Sequence, residues 1–134
     1  MSEKRFTLRE FAEAIRKNGL PQQTGGFFFY EDEFGDMRDS NFPSTLIRDE
    51  ATIVGACAFG QALINLGIER PYLGNTIMGD IYEKIWKLND IDHYSLKQIA
   101  DWIEKNYADS LDTLSFTVDE FDYSPYLGEA SVRA

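Results

Sequence analysis

Apolar residues at Leu8, Phe11, Ala12 and Ile15 recur at helical spacing and predict a first amphipathic helix. Thr7 stands at its cap, Glu10 completes a capping box, and Phe6 and Phe11 are placed as a hydrophobic staple. Gly19 followed by Leu20 and Pro21 predicts a left-handed stop. The same signals return at Ser95 and Gln98, with Tyr94 and Ile99 as the staple, ahead of a helix through Ile103. Between them, Ile77, Ile81, Ile85 and Leu88 share a face and predict a helix from about Thr76 to Leu88, closed by Asn89-Asp90.

The stretch Ala51 to Gly67 has a different pattern. Only Thr52, Gln61 and Asn65 are clearly polar in it, so it is apolar almost all round. Such a pattern predicts a buried helix from about residue 50 to 66, ended by Gly67, with Leu63 and Ile68 in the closing contact. It is too short and too interrupted by glycine to span a bilayer. Phe27–Tyr30, after Gly25-Gly26, predicts a short strand that returns as a hairpin through the acidic turn and Met37. Leu114–Val118 alternates like a half-buried strand and is expected beside Phe27–Tyr30. The sum is an α+β domain, mainly α: four helices around the central apolar one, with a small two- or three-stranded antiparallel sheet. One domain is expected over residues 1–134, with 129–134 frayed.

Composition agrees with a folded core, since 43% of the 134 residues are hydrophobic. No cleavable signal opens the chain, and one cysteine makes no internal disulfide, which fits a reducing cytosol. Net charge is −10, and the excess is local. Residues 21–50 carry −5 and residues 107–134 carry −5, whereas residues 1–20 carry +2. Such a chain repels nucleic acid and anionic membrane and attracts a basic protein surface.

Few residues suggest catalysis. Gly55-Ala56-Cys57-Ala58-Phe59-Gly60 has the glycine spacing of a phosphate loop, but Gln61-Ala62 stand where lysine and a hydroxyl residue are required. The same small residues would let a neighbouring helix pack closely. Cys57 is the only thiol and His93 the only imidazole; with Asn106 they can be drawn as a cysteine hydrolase or transferase. That reading puts Cys57 at a helix start after a strand, where the thiol pKa falls. The competing reading makes Cys57 a small buried hydrophobe. No zinc set is present, and the acidic turn lacks the spacing of a calcium loop, so no metal or cofactor is expected.

Acids beside aromatics remain. Glu31, Asp32, Glu33 and Asp36 form one group; Asp119, Glu120, Phe121, Asp122 and Tyr123 form the other. Aromatic rings anchor a partner, while carboxylates meet its arginine and lysine side chains.

Cys57, Gly60, Ala62-Leu63 and Asn89-Asp90, behind an amphipathic first helix, resemble an uncharacterised group of small bacterial and phage helical proteins. There a helix with Cys, Gly and Ala-Leu precedes an Asn-Asp pair. The resemblance implies a phage or mobile-element setting and lends no particular activity. The functional expectation is a non-enzymatic, cytoplasmic protein-binding domain, in one version an inhibitor or decoy of a nucleic-acid-binding protein. A structural subunit of an oligomer is a further alternative.

Overall fold

In the computed structural model, which describes residues 3–17, 19–31, 34–40, 52–71 and 76–127, the elements follow the chain as β1 (Glu3–Thr7), α1 (Leu8–Arg16), β2 (Phe28–Glu31), β3 (Met37–Ser40), β4 (Thr52–Ala56), α2 (Ala58–Leu66), β5 (Ile68–Pro71), α3 (Thr76–Trp86), α4 (Leu96–Asn106) and β6 (Ser115–Glu120). A π-helical turn, Lys87–Ile91, prolongs α3. Helical residues outnumber strand residues, and the class is α+β, mainly α.

Both capping boxes form. The Thr7 hydroxyl accepts the Glu10 amide at 3.2 Å while a Glu10 carboxylate oxygen accepts the Thr7 amide at 3.0 Å. Ser95 and Gln98 do the same for α4, at 3.2 and 2.9 Å. The end of α1 differs from expectation. Gly19 is not left-handed, and the helix stops at Arg16. The Asn65 amide donates to the carbonyls of Ala14 and Lys17 at 2.8 and 2.7 Å, satisfying groups that a glycine turn would otherwise serve.

The central segment is the main correction. Residues 52–56 are a strand, and the helix begins only at Ala58. Thr52, Ile53 and Val54 are β-branched, and β4 pairs with β2, so sheet formation wins at this end. Cys57 is the extended cap between strand and helix. Gly67 ends α2 in the left-handed conformation at φ 68°, as expected.

Strands form two three-stranded antiparallel sheets, in the orders β3-β2-β4 and β1-β6-β5. The hairpin β2–β3 is the predicted one. β6 lies between β1 and β5, not beside β2, because the short N-terminal strand and the segment after Gly67 take its two edges. The core joins Leu8, Phe11 and Ile15 to Phe28, Ile53, Phe59, Leu63, Ile81, Ile85, Ile99 and Ile103.

The glycine in α2 has a packing cause. A Cβ on Gly60 would run into the carbonyl oxygen of Phe27 and come within 2.8 Å of its carbonyl carbon. What approaches α2 closely there is thus the segment that leads into β2. Gln61, at the position a phosphate loop gives to lysine, turns inward and donates to the Leu20 carbonyl at 2.6 Å. Among the described residues no helix is long and apolar enough to cross a membrane. Residues 129–134 lie outside the described ones.

Candidate functional site

A π-helical turn widens the hydrogen-bonded backbone ring; such turns are rare and frequent at functional sites. Here it delivers Asn89 and Asp90 to the junction of β4 and α2. Asn89 is 1% exposed, and its amide is fully used. Its Oδ1 accepts the amide of Ala58 at 3.1 Å and the side-chain amide of Gln22 at 2.8 Å. Its Nδ2 donates to the Gln23 carbonyl at 2.9 Å and to Asp90 Oδ1 at 2.6 Å. The other Asp90 oxygen accepts the Gly25 amide at 2.9 Å. The start of α2 and the segment 22–25 are thereby tied to one buried side chain and its neighbour. Beyond the turn, His93 sits at φ 54°, a left-handed position unusual for a residue with a Cβ.

A cleft of about 130 Å³ opens beside this knot. Its walls are Phe27, Phe59, Tyr82 and Trp86, with Cys57, Asn89 and Asp90 contributing the polar atoms. The rings support one another. Phe27 and Phe59 have centroids 5.0 Å apart, and Tyr82 stands nearly edge-on to both, at 5.6 and 5.1 Å.

Cys57 occupies the helix start that activates thiols elsewhere, yet burial outweighs that effect. Its sulfur accepts the Gly60 amide at 3.4 Å, which favours the thiolate, but desolvation pushes the thiol up to about 11. At neutral pH it is an uncharged SH. His93 is exposed, does not line the cleft, and shares no hydrogen bond with Cys57. Asn106 donates to the Trp102 carbonyl at the end of α4, at 2.8 Å. The three residues do not assemble as the hydrolase reading requires.

The acidic groups separate in the structure. Glu31 and Asp36 are exposed on the β2–β3 hairpin, where Gly35 takes the left-handed turn at φ 80°. Asp32 and Glu33 lie outside the described residues. Next to them Phe34 is 80% and Met37 62% exposed. Sequence reasoning passes over both as site residues, although they interrupt an acidic turn.

The second group is largely structural. Tyr123 is 3% exposed, its hydroxyl donates to the Ile68 carbonyl at 2.8 Å, and its ring packs 5.6 Å from Phe28. It belongs to the core and is removed from the candidate surface. Phe121 is half-buried between Tyr123 and Tyr126, at 4.7 and 6.0 Å. Asp119 and Glu120 are half-buried on the central strand β6. Asp122 is exposed; hydrogen bonds from Ser124 hold its carboxyl below the usual carboxylate range.

Among the described residues no three histidine, cysteine or carboxylate side chains gather in a metal-ligating cluster. The cleft residues Tyr82, Trp86 and Asp90 come from one helix and its π-helical extension and meet Phe27, Cys57 and Phe59 only through the fold. The sole signal for them in the sequence is the polar Asn89-Asp90 pair closing an apolar helix. No family model, curated protein or solved structure matches the chain.

Proposed function

We propose that the chain is a non-enzymatic binding domain that presents its β2–β3 hairpin to a basic surface on another protein. The observation that carries this reading is the exposure of Phe34 and Met37 amid carboxylates. Residues 31–39 hold five acids and one base. Large exposed apolar side chains serve as anchors, and the surrounding charge steers a basic partner and fixes its orientation. Among the described residues β3 pairs only with β2; in this reading an extended partner segment pairs with its other edge. The neutral, buried Cys57 and the exposed His93 support a reading without cysteine chemistry.

A concrete version is an inhibitor or decoy, of phage or mobile-element origin, acting in the cytoplasm on a protein that binds nucleic acid. Its acidic balance supports this, since carboxylates can occupy the places of phosphates on a basic groove. The test is affinity capture from the source cell at about 0.05 M and about 0.5 M salt. A partner held at low salt and released at high salt is expected. Replacing Phe34 and Met37 together by serine should abolish capture while leaving the unfolding curve unchanged. Capture indifferent to both salt and substitution would sink the reading.

A further inference from the structure

We propose that the cleft between Phe27, Tyr82, Trp86 and Asp90 is a binding site for a small organic cation, an alkylated ammonium head group. This site is separate from the hairpin and stands whether or not the hairpin binds a protein.

Charge comes first. Among the described residues the lining carries one carboxylate, Asp90, and no lysine, arginine or histidine. An anion would meet Asp90 with no cation to offset it. An uncharged apolar ligand would strip water from that carboxylate and offer nothing in return. A cation pairs with it. The rings supply the second attraction, because aromatic faces draw positive charge and organic ammonium groups most of all. Trp86 is the strongest such ring; it lines the cleft and is 47% exposed.

Placement of Asp90 is not incidental. Both carboxylate oxygens are held by single donors, the Gly25 amide and the Asn89 amide, so its position is fixed while lone pairs remain for a ligand. The π-helical turn that creates this arrangement is a rare backbone feature. Size sets the class. At about 130 Å³ the cleft falls well below the few hundred Å³ of drug-sized sites, so it admits a head group and excludes a nucleotide. The same head group occurs on free choline-like compounds and on methylated lysine side chains of proteins.

The test uses the whole protein, isotope-labelled, titrated with choline chloride against sodium chloride at matched ionic strength. Trp102, on α4, does not line this cleft, so its indole N–H signal is an internal control beside that of Trp86. Expected is a saturable shift of the Trp86 indole and the Gly25 amide with Trp102 unmoved. Dimethylbutanol, the uncharged carbon isostere of choline, should bind at least about tenfold more weakly. Asp90→Asn should weaken choline by about tenfold or more. Because that change also loses one internal hydrogen bond, Trp86→Leu at the surface is the second variant and should weaken choline without altering the fold. A trimethyllysine peptide that binds like choline assigns recognition to the head group alone. One that binds much more tightly and shifts further residues assigns it to a protein tail. No saturable shift with either probe, equal binding of the isostere, or full binding by both variants overturns the proposal.

Discussion

Asn89 Oδ1 lies 3.1 Å from the amide nitrogen of Ala58 and accepts its proton, so a residue from the extension of α3 caps the first turn of α2. Cys57, the formal cap, offers only a sulfur to Gly60 at 3.4 Å, a weak acceptor. The stronger cap comes from a distant part of the chain. Replacing Asn89 by alanine strands the Ala58 amide in the interior and takes the donor from the half-buried Gln23 carbonyl. The expected cost is about 2–4 kcal/mol, read as a lower urea midpoint. Asn89→Asp keeps the acceptor but sets a second carboxylate against Asp90, and it should also destabilise. A variant as stable as the parent would mean that water replaces these bonds.

Gly60→Ala tests how closely the chain at Phe27 lies on α2. By helix propensity alone alanine would stabilise by about 1 kcal/mol. The Phe27 carbonyl occupies the place of the new methyl group, so the sign should reverse, with a net loss of about 1–3 kcal/mol. Gly19→Ala is the control. Its Cβ would meet Asn65 Oδ1 at 3.6 Å, an ordinary contact, and its backbone is not left-handed. Thermal unfolding of both variants should show one clear drop and one change near zero.

Asn65→Ala asks what ends α1. Two carbonyls, those of Ala14 and Lys17, lose their donor. The expected loss is about 1–2 kcal/mol, with faster amide exchange confined to the last turn of α1. Uniformly faster exchange would instead indicate global destabilisation.

These positions also mark how far the fold was legible in the sequence. The starts of α1 and α4 were legible because Thr7-Glu10 and Ser95-Gln98 act within one turn, and so were the hairpin around Gly35 and the stop at Gly67. What failed was non-local. Gly19 looks like a helix stop, but Asn65, 46 positions later in the sequence, does that work. Residues 52–66 are apolar almost all round, which hides the switch of period at Cys57; the β-branched run Thr52-Ile53-Val54 is the signal that a strand comes first. β1 and β5 are five and four residues long and depend on β6 as partner, so neither declares itself alone. At the site, the acids were legible and the burial of Tyr123 was not, since core and surface aromatics look alike before packing. Tyr82, Trp86 and Asp90 lie within one helical stretch, and nothing in it announces that Phe27 and Phe59 complete the wall.

Cys57 supplies the last prediction, and its sign follows from burial. The folded thiol titrates near 11, above its ordinary 9.0, because the buried site disfavours the thiolate. Between those values the folded state keeps a proton that the unfolded chain has released. Stability linked to Cys57 is therefore fully present below about pH 9 and lost as pH rises through about 11. Its size is about 2–3 kcal/mol by the usual conversion of pKa to free energy. Tyrosines and lysines titrate in the same range, so the measurement is a difference. Urea unfolding of the parent and of Cys57→Ala, at steps from pH 7 to about 11, should give curves that converge as the pH rises, because only the parent loses this contribution. Iodoacetamide at neutral pH should label native Cys57 far more slowly than the urea-unfolded chain. Fast native labelling, or a pH-independent difference between the two proteins, would show the sulfur to be solvated and its thiolate accessible, and the hydrolase reading of Cys57 would return.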